Sequence, residues 1–313
     1  MLYINESEVR NLFTMADAIE QMRLAFHAIR AGEAQNQPRR RLILPTGSVL
    51  HQMAGSMGKY FCTKLYTSNV KHGGLHQMFV MLYDAETGKP LAQIEANQMS
   101  LVRTGAATGF VANLLANPDT EWVGLIGSGY QATAQLEAIR AVRADVSVHV
   151  WSRNPEHAKD FAEKYDCTAV NSAETAVRSA QVVITATSCK DPVLQADWLQ
   201  KGTFIAAMGS NAPNRRELAA ELVNSAGLIV VDDLEQAKVE AGDLLLANDT
   251  PLEHWQNLTE VKNILSEDRA HYDPNRVTIF KSLGIAVEDV AAAAFVYEEA
   301  LKHGKGRQIG SFD

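Results

Sequence analysis

Residues Trp122 to Val142, WVGLIGSGYQATAQLEAIRAV, constrain the fold more than any other stretch. Trp122 to Ile126 is a short apolar run with strand character. Gly127-Ser128-Gly129 makes a tight turn, and Tyr130 onward reads as a helix with Ala134, Ala138 and Val142 as its apolar residues. A strand, a glycine turn and a helix in that order form the βα unit that binds a dinucleotide. Gly127 permits the sharp turn, Gly129 lets the backbone approach a pyrophosphate, and Ala132 is small enough for close helix–strand packing. The N–H groups left free at the helix start then hold the phosphates. A second strand follows at Val146 to Trp151, as such a unit requires.

The alternation continues. Apolar runs at Val182–Ala186, Phe204–Ala207 and Leu228–Val231 predict strands, and Leu218–Val223 and Leu234–Ala241 predict helices between or after them. Strands alternating with helices imply a parallel sheet. The residues before this region read differently. Met15 to Ile29 is an amphipathic helix with Ile19, Met22, Phe26 and Ile29 on one face, and Gly32 ends it. Parts of Val49–Leu65, then Gln77–Tyr83 and Pro90–Glu95, read as strands, and Asn97–Ala116 as a helix that Asn117-Pro118 breaks. Val287 to Leu301 is a last, alanine-rich helix. The fold class is therefore α/β, with an α+β region up to about residue 117 and a Rossmann-type region after it. The last helix is long enough to pack elsewhere.

The end of the second strand of a Rossmann unit discriminates between dinucleotides. NAD binders usually place an acid there to accept from the ribose 2′-OH. This chain reads VWSRNPEHA, with Ser152 and Arg153 at that point. A hydroxyl and a guanidinium suit a 2′-phosphate, so the residues favour NADP(H) over NAD(H). The expected cofactor contacts are Gly127, Gly129, Tyr130, Gln131 and Ala132 at the turn, Ser152 and Arg153, and Thr185, Ala186 and Thr187 at the end of the next strand.

Charge and composition exclude several function classes. The chain has 313 residues and a net charge of -8, without a long basic run, which disfavours nucleic acid and anionic membranes as partners. The N-terminus lacks the pattern of a signal peptide, and no apolar run approaches the ~20 residues that span a bilayer. Cys62, Cys167 and Cys189 lack metal-ligand spacing and read as reduced thiols of a cytoplasmic protein, each a small buried hydrophobe. No metal site, Walker loop or nucleophile elbow is present. Cations instead sit beside apolar segments at Arg39, Arg40, Arg41, Lys64, His76 and Arg103. Together they point to a pocket for a carboxylate, which arginine matches in a fork. Glu288-Asp289 offers a candidate catalytic pair, although adjacent acids near a helix start are more often caps and dipole partners.

Taken together, the motifs QPRRRLILP, TKLYT, LHQMFVMLYD, NQMSLVRTGAATG, IGSGYQA, VWSRNPEHA, GSNAPNRREL, VVDDLEQA, EAGDLLL and TIFKSLGIAVEDVAAA resemble the ornithine cyclodeaminase/mu-crystallin family over nearly the whole chain. The mu-crystallin-like ketimine reductase branch is the nearer one. The resemblance implies a homodimer of two-domain chains: a central Rossmann domain over residues 118–285, and a domain of residues 1–117 with 286–313 that carries dimerisation and much of the substrate pocket. It places Lys64, Arg103 and His76 in catalysis and Arg40, Lys64, Arg103, Asn211 and Leu283 around the substrate. Which of Arg39, Arg40 and Arg41 faces the pocket stays open. In the cyclodeaminases an aspartate follows the glycine turn after the fourth strand, whereas Ser210 and Asn211 stand here, and neither is a general base at neutral pH. The implied reaction is NADPH-dependent reduction of a C=N bond beside a carboxylate in an imino acid, or its reverse on an amino acid. Ornithine cyclisation with ammonia release and non-catalytic NADPH-dependent binding of a small molecule are the alternatives.

Overall fold

The computed structural model describes residues 1–72, 74, 75, 77–265 and 272–310. Its strands are β1 (Leu2–Ile4), β2 (Ala34–Ile43), β3 (Val49–Met57), β4 (Tyr60–Asn69), β5 (Gly74–Leu75), β6 (Phe79–Asp84), β7 (Pro90–Glu95) and β8 (Trp122–Ile126). They continue as β9 (Ser147–Trp151), β10 (Thr168–Ala169), β11 (Val182–Thr185), β12 (Phe204–Ala207), β13 (Leu228–Val231), β14 (Leu258–Glu260), β15 (Thr278–Lys281) and β16 (Arg307–Gln308). The chain divides into two compact units, Met1–Ala106 with Gly284–Asp313, and Ala107–Leu283. The first division falls inside the helix Asn97–Leu115, eleven residues before the sequence-based limit at 117/118, and the second falls two residues before that at 285/286.

The first unit is built on one sheet in the order β16-β1-β7-β6-β4-β3-β2, with β5 beside β4. Among the described residues, only the β1–β7 pair in it is parallel. Along β4 the residues alternate, so that Cys62, Lys64 and Tyr66 are buried while Leu65 and Thr67 are exposed, as the two-residue period of a strand dictates. The helix Met15–Ala31 begins with a capping box between Thr14 and Asp17 and buries Met15, Ala18, Met22, Ala25 and Phe26. The helix Ala286–Lys302 is buried on nearly every face of its first three turns. Its N-cap residue Ile285 has no side-chain acceptor, and Asn36 of β2 supplies one instead, taking the Ala286 N–H at 2.9 Å.

The second unit is an all-parallel sheet in the order β10-β9-β8-β11-β12-β15-β13-β14. Strands β11, β12 and β15 are buried along their whole length, as parallel strands covered on both faces are. The first three strands run outward from β8 in one direction and β11 starts the other, so the topological switch point lies between β8 and β11. The glycine turn stands at that point. Strands β2, β5, β10, β14, β15 and β16 are additions to the sequence reading.

Candidate active site

In the first unit five charged side chains meet in the interior. Lys64 Nζ donates to Asp289 Oδ1 at 3.0 Å. Arg103 donates to the same oxygen through Nε at 3.1 Å and to Glu288 Oε2 through Nη1 at 2.5 Å. Arg39 donates from Nη2 to the Gly284 carbonyl at 3.1 Å, and Gly284 packs directly against the Arg103 guanidinium. Lys64 is 2% exposed, Arg103 4% and Arg39 6%, so this is a desolvated cluster and not a surface network. Burial lowers the Lys64 amine to about 8, Asp289 opposing the shift and Arg103 and Arg39 adding to it. For Arg103, burial works in the same direction, but Asp289 and Glu288 overcome it and hold the guanidinium above its ordinary value. His51 stacks on Tyr66 beside the cluster, with ring centroids 4.3 Å apart. Burial and the charges of Arg41 and Arg39 lower His51 to about 4, so it is neutral at physiological pH.

Two sequence-based assignments need correction in this unit. Arg40 is exposed and Arg39 is the buried arginine. The cause is a β-bulge: Gln37 pairs with Ala54 and Arg40 with Gln52, so β2 carries one residue more than β3 over that interval. Pro38, which has no N–H to give a ladder, sits in the bulge. The bulge reverses the in–out phase of the strand, so position 39 turns inward. Glu288 and Asp289 are not simply helix caps, since both carboxylates meet Arg103 in the interior. Each acid lies in a helix start read locally, while its partners lie far away in the chain; the signal that could reveal them is two acids in an otherwise apolar, alanine-rich helix. His76 lies outside the described residues.

In the second unit the glycine turn has the features an anion site needs. Gly127 adopts φ 113°, and a Cβ there would stand 2.4 Å from the Ala186 carbonyl oxygen, so no other residue fits. A Cβ on Gly129 would meet nothing within 4 Å. Gly129 is also the N-cap of the thirteen-residue helix Tyr130–Val142 and places no side chain over the helix start, where an anion is favoured. That geometry fits the pyrophosphate of a dinucleotide. Ala132 is fully buried against the sheet, whereas Tyr130 is exposed and Gln131 half-buried. A cavity of about 310 Å³ lined in part by Gly129, Tyr130, His157 and Lys164 opens beside the turn. Arg153 is exposed just past β9, and Ser152 is half-buried.

Thr185 ends β11, beside the glycine turn in the sheet order. Its hydroxyl points inward and donates to Glu217 Oε2 at 2.8 Å. Glu217 also accepts from Thr187 N and Oγ1, both at 2.7 Å, and from Gly209 N at 2.7 Å. Asp243 Oδ1 accepts the Glu217 N–H at 2.5 Å, and its other oxygen stands 2.9 Å from Lys281 Nζ. Glu217, Asp243 and Lys281 are fully buried and tie together the C-terminal ends of β11, β12 and β15. Sequence reasoning missed this triad; charged residues inside the apolar segments RREL, EAGDLLL and IFKSLG are the signal for it. Asn211 is exposed in the loop after β12, and Leu283 is buried in the apolar core of this unit. The Ser210 hydroxyl is already used, donating to the Arg215 carbonyl at 3.0 Å. Cys62 is buried, but Cys167 and Cys189 are only half-buried, and all three are free thiols. Among the described residues no cluster of His, Cys, Asp and Glu could hold a metal ion, and no helix is long and apolar enough to cross a membrane.

A parallel sheet with an open glycine turn at its switch point, in a chain that also buries a cationic cluster, defines a nicotinamide-dependent oxidoreductase. The chain belongs to the ornithine cyclodeaminase/mu-crystallin family, whose sequence model matches residues 2–304. An alanine dehydrogenase of Archaeoglobus fulgidus is 35% identical over 323 residues, covering 99% of this chain and 98% of that protein. The ketimine reductase mu-crystallin of Mus musculus is 35% identical over 242 residues, or 75% of each chain. The solved structure of Thermococcus litoralis Delta(1)-pyrroline-2-carboxylate reductase in complex with NADH and L-proline matches with a TM-score of 0.92 at 29% identity, covering 99% of this chain and 100% of that one.

Proposed function

We propose that this protein uses NADPH to reduce a C=N bond adjacent to a carboxylate, in a cyclic ketimine acid such as a pyrroline or piperideine carboxylate, or in the imine of a 2-oxo acid. The observation that carries the reading is the charge of the buried cluster. Arg39, Lys64 and Arg103 stand together in a desolvated place, where Asp289 takes Lys64 and Arg103, Glu288 takes Arg103, and Arg39 bonds a backbone carbonyl. Buried cations are costly unless paired, and a substrate carboxylate is an anion that such a group of cations can hold. Arg103 uses Nε and Nη1 within the protein, so its Nη2 is the arm turned to the substrate. Arg39 takes the role that the family resemblance attached to Arg40. Asn211 and His76 remain candidate substrate contacts by that resemblance alone.

The dihydronicotinamide supplies the hydride. The turn Gly127–Gly129 and the helix start after it hold the pyrophosphate, and Ser152 and Arg153 take the 2′-phosphate. Lys64 holds a proton at Nζ and gives it to the substrate nitrogen as the carbon is reduced; an amine near 8 is protonated at neutral pH yet able to release its proton. Arg39 and Arg103 orient the substrate through its carboxylate. The protein is a cytoplasmic homodimer in this reading, and the exposed Leu42, Ile43 and Leu44 at the end of edge strand β2 provide apolar surface for the partner. Ornithine cyclisation is the weaker alternative, because the Ser210 hydroxyl that replaces the cyclodeaminase carboxylate is engaged with backbone. Consumption of NADPH with a cyclic imino acid, without ammonia release from ornithine, is the expected result; ammonia release without net NADPH consumption would assign the lyase instead.

A further inference from the structure

Asp289 does more than neutralise charge. Its Oδ1 receives Lys64 Nζ and Arg103 Nε together, at 3.0 and 3.1 Å, while its Oδ2 is buried with no hydrogen-bond partner among the described residues. Two cations that would otherwise repel are thus held to a single atom. That atom is carried by the first turn of the helix Ala286–Lys302, whose start is fixed by Asn36. An acid in a first helical turn is also favoured as the anion by the helix dipole. Glu288, by contrast, reaches the cluster through Arg103 Nη1.

We propose that Asp289 is the positioning residue of the site, fixing the Lys64 proton donor and the Arg103 carboxylate clamp relative to each other. The proposal rests on the reading of the chain as a C=N reductase. It assigns the carboxylate a second effect, on the charge of Lys64. The groups facing Lys64 are Cys62 and Tyr66 from its own strand, His51 stacked on Tyr66, Arg39 from β2, Arg103, Glu288 and Asp289. Cys62 is pushed up by burial and His51 is held down, so neither carries charge near neutral pH. Burial, Arg103 and Arg39 all drive Lys64 toward the neutral amine, and Asp289 opposes them. Without Asp289 the amine loses its proton at lower pH and has nothing to deliver.

The test follows the Lys64 Cε chemical shift against pH by NMR, with Lys64→Met to assign the signal, in the native protein and in Asp289→Asn. The native midpoint is expected near 8. The Asp289→Asn midpoint should fall by about 1 unit or more, the usual effect of removing an opposite charge at this range. With a cyclic imino acid, the upper pH limit of the reductive rate should move down by the same amount while NADPH affinity stays unchanged. A folded Asp289→Asn protein with the native midpoint and the native pH profile would overturn the proposal. If Asp289→Asn does not fold, Asp289→Glu decides: it keeps the charge but moves the oxygen, so the midpoint should stay near the native value while the reductive rate falls, and a native rate would overturn the proposal. The NMR titration needs no substrate, so a protein that reduces no imino acid would refute the functional reading and leave the role of Asp289 separately tested.

Discussion

Gly284 stands so close to Arg103 that a Cβ on it would lie 2.5 Å from Nη1, and the carbonyl of the same residue accepts Arg39. One glycine, at φ 71°, therefore sets the spacing of two arginines. Replacing it by alanine should cost stability, about 1–2 kcal/mol from the left-handed backbone alone, and displace the Arg103 guanidinium. The expected outcome for Gly284→Ala is a lower denaturation midpoint, a raised KM for the imino acid and unchanged NADPH affinity. Denaturant unfolding combined with steady-state kinetics checks it; native KM would show that the arginine spacing is not used.

Arg153, exposed past the end of β9, should select the cofactor. A 2′-phosphate that loses one charge-assisted hydrogen bond loses about 1.5–3 kcal/mol, so Arg153→Ala should narrow the gap between NADPH and NADH by that amount. Calorimetric titration of both cofactors into both proteins measures it. Equal affinities of the native protein for NADPH and NADH would remove the basis of the assignment.

The parallel sheet is legible in the sequence because a strand buried on both faces is a plain apolar run, as in β8, β11, β12 and β13. Lys64 is legible through the alternation in FCTKLYT. Strand β2 is not, since AQNQPRRRLI is a half-exposed edge with few apolar residues, and its bulge at Pro38 decides whether Arg39 or Arg40 turns inward. That choice depends on pairing with β3 and has no local signature. The acids are hidden for a related reason. Asp289 meets Lys64 across 225 positions and Arg103 across 186, so nothing near it in the chain reveals its partners. Thr185 sits in a correctly read strand, yet its direction depends on Glu217, 32 residues further on.

The position of Lys64 makes a signed prediction for pH. Its folded-state value is about 8 against an ordinary 10.5, chiefly through burial. Above about 8 the folded protein therefore loses the proton that the reductive reaction needs, and the reductive rate should fall through that pH while the oxidative rate on the amino acid rises. Between the two values the unfolded chain binds more protons than the folded one, so this group's contribution to stability increases with pH there. Initial rates in both directions across that range are the measurement; a reductive rate that rises through pH 8 contradicts the role given to Lys64.

Arg103→Lys should be nearly as damaging as Arg103→Ala. One planar group bonds Glu288 and Asp289 together and is proposed to hold the substrate carboxylate as well, whereas an ammonium supplies only a point charge. Leaving a buried acid without its partner typically costs about 3–5 kcal/mol, so both variants should melt earlier. The folded fraction of each should lose about 2–5 kcal/mol in binding the imino acid and still bind NADPH normally. Melting curves, NADPH affinity and turnover on the three proteins test this. A folded Arg103→Lys enzyme with native turnover would sink the clamp.

In the proposed function, the cationic cluster of Arg39, Lys64 and Arg103 binds a carboxylate beside the C=N bond. It is tested most directly by following NADPH oxidation with a pyrroline carboxylate and with the same cyclic imine lacking the carboxylate. The expected result is ready turnover of the acid and little or none of the unsubstituted ring, with the difference abolished in Arg103→Ala. Equal turnover of the two rings by the native protein would contradict it.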